Sequence, residues 1–185
     1  MFLPKIKTLF IACKIRYIAK NINLYEISNE GTKLSTHAQA NFARGELATA
    51  LRKGPYQVNV LLGGYDVSKQ GGGSASLYYL DYFGALHKVK HGAQGYAQYF
   101  CASIFDKEYK DNMTEEEAIK VIEQCILEMK TRFMLSQPNF ILKKVDKDGV
   151  SILSFGEDPA NTWELEKEKL VLLIQKLKYF LLFRI

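Results

Sequence analysis

A short alternation in the first half of the chain limits the folds open to it. Tyr56, Val58, Val60 and Leu62 fall on one face, and Gln57, Asn59 and Leu61 on the other. Period two is the signature of a strand with one buried face. Such a strand is not stable alone and needs neighbours in a sheet. Gly63-Gly64 is expected to end it, and the glycine-rich stretch Asp66 to Ser76 to form a hairpin tip. A second strand, Leu77 to Asp81, then returns. A turn at Tyr82-Phe83-Gly84 leads to a third, Ala85 to Val89.

Helical patterns flank this sheet. Thr36 to about Arg52 reads as a helix, with Thr36 and Gln39 as a capping box. Ala40, Ala43, Leu47, Ala50 and Leu51 form its apolar stripe, and Gly54-Pro55 stops it. Gly92 to Gly95 is read as a break. Beyond it, Tyr96, Tyr99, Phe100, Ser103 and Ile104 share one side of a helix. The clearest helix follows, capped by Thr114 with Glu117. Its acidic first turn suits the positive end of the helix dipole. Ala118, Val121, Ile122, Cys125, Ile126, Met129 and Phe133 make its stripe. Phe140 to Val145 and Val150 to Leu153 then form a hairpin around Asp146-Lys147-Asp148-Gly149. Trp163 to Phe183 is read as a terminal helix. The element order is that of an α+β protein.

At 185 residues, with 48% hydrophobic and 24% charged residues, the chain can form one core. The net charge of +5 lies entirely in residues 1 to 20, where Lys5, Lys7, Lys14, Arg16 and Lys20 meet no acid. It therefore describes one end of the chain and not a basic face. Neither nucleic acid nor a membrane is expected as a partner. The segment Met1 to Lys20 is read as a helix packed by its apolar side. Cys13, Cys101 and Cys125 are too far apart for a zinc motif and suit a reducing compartment. Cys101 and Cys125 fall at core-facing helical positions and read as buried thiols.

Chemistry-bearing motifs are scarce. His37, His87 and His91 have no metal-ligand spacing. Gly71-Gly72-Gly73-Ser74 lacks the Gly-Lys-Ser/Thr of a phosphate loop. Asp146-Lys147-Asp148-Gly149 starts like a calcium loop but lacks the later ligands, and reads as a turn. The sequon Asn112-Met113-Thr114 is occupied by the cap. No cofactor, metal or catalytic residue is expected.

The stretch Ala40-Asn41-Phe42-Ala43-Arg44, continuing through Pro55-Tyr56-Gln57-Val58-Asn59-Val60-Leu61-Leu62-Gly63-Gly64-Tyr65-Asp66, resembles the proteasome beta subunits. So do Leu77-Tyr78-Tyr79-Leu80-Asp81-Tyr82 and Val145-Asp146-Lys147-Asp148-Gly149. The likeness runs from about Arg16 to Leu153. It divides the chain into an atypical N-terminal segment at 1–15, a beta-subunit domain at 16–155 and an atypical C-terminal segment at 156–185, read as a helix.

The resemblance implies a four-layer alpha-beta-beta-alpha sandwich of the N-terminal nucleophile hydrolase type, incomplete at the N-terminus. Catalytic members of that family use an N-terminal Thr as nucleophile and its own amine as base. The strands that carry that Thr and its tuning Asp and Lys would precede the first helix, and Met1 to Ile15 does not resemble them. Gly31-Thr32 falls between two helices and heads no strand. Tyr96 stands where the family has a serine within Gly-Ser-Gly, and Phe133 where it has an aspartate within Arg-Asp-x-x-Ser. Both rings are expected to be buried beside a vestigial site.

The implied role is a non-catalytic subunit of the core particle's beta ring, cytoplasmic and nuclear, serving ubiquitin-dependent degradation. Its implied partners are other beta subunits and alpha subunits. Contact is expected through the first helix pair near Asn29 to Thr36 and through the helices at Tyr96 to Ile104 and Thr114 to Phe133. Tyr99, Tyr109, Glu115 and Glu116 are the interface candidates. The rival readings are a truncated or mis-spliced product that does not assemble, and an active threonine peptidase. The alternating strand is expected to show an uncovered edge.

Overall fold

A computed structural model describes the backbone of residues 3–68, 72–132, 140–155 and 179–183. The chain opens with α1 (Leu3–Ser28) and α2 (Thr36–Leu51). Strands β1 (Val60–Val67), β2 (Gly73–Leu80), β3 (Leu86–Val89) and β4 (His91–Gly95) follow. Next come α3 (Ala97–Glu108) and α4 (Glu115–Arg132). The hairpin β5 (Phe140–Asp146) and β6 (Gly149–Phe155) precedes a last strand, β7 (Tyr179–Phe183). The class is α+β. The described strands form a three-stranded antiparallel sheet in the order β1-β2-β3, and the two pairs β4-β7 and β5-β6.

The first core forms where α1 and α2 cover the sheet. Ile18 and Ile22 of α1 meet Ala40, Ala43 and Leu47 of α2 over Leu62, Tyr78 and Leu80. The small residues of α2 let its backbone lie close to the strands. Tyr56, Val58 and Val60 pack against the same cluster. The face inferred from the alternation therefore points to the core, although the ladder begins only at Val60. Before that point Asn59 uses its side chain, whose Oδ1 accepts from the Tyr82 N–H at 3.2 Å.

The strand does not stop at Gly63-Gly64, as the sequence suggested. It continues to Val67, with Gly64 opposite Ser76 and Val67 opposite Gly73. The physical reason is contact with α2. A Cβ on Gly64 would collide with the Thr36 side chain, so the glycine marks a close backbone approach and not a break. The hairpin tip is correspondingly short. The Ser68 N–H donates to the Gly72 carbonyl at 2.9 Å, and Gly72 takes a φ of +111°.

The cap of α2 also differs. Ser35 is the N-cap, its Oγ accepting from Ala38 N at 3.2 Å. Thr36 instead donates both its N–H (2.8 Å) and its hydroxyl (2.9 Å) to Asp66 Oδ1 on β1. Gln39 reaches back to the Leu34 carbonyl at 3.0 Å. The expected Thr36–Gln39 box is not formed, because Asp66 competes for Thr36 from the sheet.

Two other expectations are overturned. Gly92 to Gly95 is a strand, paired antiparallel with β7 from His91↔Phe183 to Gly95↔Tyr179. The end of the terminal segment read as a helix, 179–183, is therefore a strand, and residues 163–178 lie outside the described residues. The small residues of β4 obscured its period. An added Cβ at Gly92 would come within 3.0 Å of Leu61 on β1, so close packing selects glycine here. The β5–β6 hairpin is as inferred. Asp148 N donates to Asp146 Oδ1 at 2.9 Å, and Gly149 takes the left-handed turn position at φ +117°.

Among the described residues no helix is long and apolar enough to cross a membrane. Among the described residues β1 forms a strand ladder with β2 alone.

Replacing Asp66 with Ala strands a buried Thr36 hydroxyl and N–H. It should cost about 2–3 kcal/mol in urea unfolding, as expected for hydrogen bonds to a charged acceptor. Asp66→Asn, which keeps an oxygen in place, should cost less. A loss under ~0.5 kcal/mol for the alanine variant would show that this bond does not anchor α2.

Candidate functional site

The second core lies between α3 and α4. Helix α3 buries Ala97, Cys101 and Phe105, spaced by one turn each. Helix α4 answers with Val121, Cys125 and Met129. The buried stripe of α4 is the one its periodicity indicated, while Ile126 is only half-buried. On α3 the core side is displaced from the tyrosine side. Tyr99 is 74% exposed and Tyr96 48% exposed. Small Ala97 and Cys101 permit close helix packing, and a tyrosine there would have to bury its hydroxyl. Tyr96 is thus not buried as expected, and Phe133 lies outside the described residues.

Helix α4 starts with the capping box inferred from the sequence. Thr114 N donates to Glu117 Oε2 at 2.8 Å, and Glu117 N returns a bond to Thr114 Oγ1 at 3.3 Å. The backbone and hydroxyl of Thr114 hold the Glu117 carboxyl below the usual carboxylate range. Glu116 is exposed on the same turn. Glu115 is committed to the fold: Lys144 Nζ of β5 donates to its Oε2 at 2.6 Å. That bond, with Asp146 also near, holds the Lys144 ammonium above its ordinary pKa. Tyr109 closes α3 and packs at a tilt against His91, ring centres 5.0 Å apart, with Phe105 tilted on the same imidazole at 5.1 Å. Of the four interface candidates, Tyr99 and Glu116 stand outward, whereas Glu115 and Tyr109 serve the α3–α4 layer itself.

A second exposed apolar surface belongs to α1. Leu24, Tyr25 and Ile27 are all largely open, and Ile27 is 76% exposed. The α1–α2 connection is held by Gly31 N to the Glu26 carbonyl (2.8 Å) and by Asn29 Nδ2 to the Tyr25 carbonyl (2.7 Å). Thr32 lies in this connection, heads no strand, and has its N–H on the Asn29 carbonyl at 3.0 Å. His37 is hydrogen-bonded to Asn41 on α2, and His87 is exposed on β3.

This α+β arrangement, with α1 and α2 over the β1-β2-β3 sheet and α3 packed on α4, is accompanied by a match to a family model. Residues 13–145 match the model described as proteasome subunit. The chain belongs to the proteasome subunit family. It is 55% identical over 133 residues to proteasome subunit beta type-2-B of Arabidopsis thaliana, covering 72% of this chain and 64% of that protein. It is 53% identical over 133 residues to proteasome subunit beta type-2 of Oryza sativa subsp. japonica, covering 72% and 60%. With proteasome subunit beta type-2 of Dictyostelium discoideum it shares 44% over 139 residues, covering 75% and 69%. The chain thus spans somewhat less than two thirds of the two plant relatives. The family match ends at residue 145, before β7.

Sequence reasoning found the buried thiols but missed that α3 and α4 bring them together. Their burial was legible from helical spacing; the inter-helix register was not.

The Glu117 cap gives a pH prediction. A carboxylate held below its unfolded pKa stabilises the fold above that pKa, and the contribution is lost as pH falls through the folded value. Thermal stability of α4 should therefore drop from pH 5 towards pH 3, more steeply than in the Glu117→Ala variant. A carbon-detected titration of Glu117 should show a midpoint below about 4.3, the ordinary glutamate value. A midpoint above it would overturn the assignment.

Proposed function

We propose that the chain is a non-catalytic structural subunit of the proteasome core particle's beta ring. The observation that carries this is the 55% identity over 133 residues to a protein named proteasome subunit beta type-2-B. The reading includes the four-layer alpha-beta-beta-alpha sandwich of the family, incomplete at the N-terminus. It places the chain among beta and alpha subunits, in the cytoplasm and nucleus, where the particle serves ubiquitin-dependent degradation.

The absence of an active site is argued from the residues. An N-terminal-threonine hydrolase needs a free threonine amine to act as base. Thr32 lies in the connection between α1 and α2 and heads no strand, unlike the nucleophile that the resemblance implies. Tyr96 and Phe133 stand at positions where the resemblance calls for a hydroxyl and a carboxylate. The Phe133 ring offers no carboxylate to a nucleophile, and the Tyr96 phenol is half-exposed at the start of α3. The outward apolar side chains of α1 and the exposed Tyr99 of α3 suit contact with neighbouring subunits, since tyrosine and large apolar groups are enriched in interfaces.

Mass spectrometry of purified core particles tests the reading. Peptides from residues 1–14 and 163–178 should appear in the particle fraction in proportion to the other beta subunits. Their confinement to free or degraded protein would favour a chain that does not assemble. A threonine-directed covalent inhibitor should label no residue of this chain; modification of Thr32 would overturn the non-catalytic assignment.

Among the described residues β1 has a ladder on one side only, and this supports a further expectation. Unpaired strand edges and exposed apolar patches promote association. Away from its partners the chain should elute as aggregates or mixed oligomers in size-exclusion chromatography. A soluble monomer with one cooperative thermal transition would show that β7 and α1 cover the fold well enough alone.

A further inference from the structure

We propose that β4 is an acceptor site for an extended apolar peptide carrying an asparagine, and that residues 179–183 hold this site as an exchangeable strand of the chain's own. All five residues of β4 are matched in the antiparallel ladder with β7, and among the described residues β4 pairs with no other strand. β4 lies inside the family match, whereas β7 lies beyond its end at residue 145. A ladder of this kind is held by main-chain groups, so it accepts extended segments in general. The pockets for alternate side chains supply the selection. No part of this depends on whether the chain enters a core particle.

The alternation of β4 defines those pockets. His91 meets Phe105 of α3, and Ala93 packs against the α3–α4 cluster. Gly92 and Gln94 take the opposite face, where Gly92 lies against Leu61 of β1. The Gln94 side-chain nitrogen is buried and has no hydrogen-bond partner. Its cross-strand neighbour is Phe180, a residue type with no acceptor to offer. Leaving a buried donor unpaired is costly, and native structures pair nearly all of them. The present occupant therefore meets the backbone requirement of β4 and leaves Gln94 unmet. A peptide with apolar residues opposite Gly92 and Ala93 and an asparagine opposite Gln94 meets both. Its side-chain carbonyl would accept from Gln94 Nε2.

The test captures the full chain sparsely on beads through an N-terminal biotin, which keeps copies apart. The probes are synthetic peptides of sequence 178–185 in which Phe180 is replaced by Asn or by Leu, each with an N-terminal benzophenone. In full-length Leu181→Pro, whose resident strand is weakened, light should attach the Asn peptide to the tryptic fragment 91–107. Wild-type chain at the same peptide concentration should be labelled about tenfold less, because its own strand competes from within the molecule. The Asn peptide should bind about five- to tenfold more tightly than the Leu peptide. That preference should be lost when Gln94→Leu is added to Leu181→Pro. The proposal is overturned by attachment outside 91–107, by equal labelling of wild type and Leu181→Pro, by no preference between the peptides, or by a preference for Asn that survives Gln94→Leu. If Leu181→Pro fails to fold, the comparison is made within the chain. Full-length Phe180→Asn should then melt higher than Phe180→Leu, with the order reversed in Gln94→Leu, and an order that does not respond to Gln94 overturns the proposal equally.

Discussion

The fold depends on how closely the first turn of α2 sits on β1. Asp66 on the strand takes both the N–H and the hydroxyl of Thr36, and Gly64 clears the space that Thr36 occupies. That contact brings Ala40, Ala43 and Leu47 down onto Leu62 and Leu80. Small side chains are required along this seam because the backbones approach too closely for larger ones. Ile18 and Ile22 of α1 complete the cover. A carboxylate inside a partly buried seam is tolerated only when hydrogen-bonded, and here one oxygen is satisfied twice.

The same logic of small residues governs the second core. Gly92 of β4 lies against Leu61, and Ala97 and Cys101 of α3 lie against α4. These close approaches are marked by glycine, alanine and cysteine, while Phe105 is the large aromatic buried beside them. Tyr99 is left in solvent by that rule, and His91 fills the corner between Phe105 and Tyr109. The outward position of Tyr99 is thus a consequence of how the interior is packed.

Strand β7 shows how a chain can satisfy a sheet with residues from outside the family match. The match ends at residue 145, yet β4, inside it, is paired over its whole length with residues 179–183. Backbone N–H and C=O groups must find partners wherever they are buried, and an extended apolar segment is a ready source of them. Pairing of this kind depends on backbone geometry more than on side-chain identity, which is why periodicity in β4 gave no warning of it.

Local rules written in the sequence were enough for the Thr114–Glu117 cap, the stripe of α4, the core face of Tyr56 to Leu62 and the Asp146–Gly149 turn. In each case the determining interactions span only a few residues. What required the tertiary structure was every decision made between distant segments. Thr36 could serve its own helix or Asp66, thirty positions on, and a charged acceptor prevailed over a neutral one. Gly63-Gly64 could end a strand or admit a helix, and the answer lay in α2. Tyr96 and Tyr99 could face in or out, and the choice was made by how near α4 could come to Ala97 and Cys101. Residue types set what each segment can do; close packing of backbones, which no local pattern encodes, chose among those possibilities.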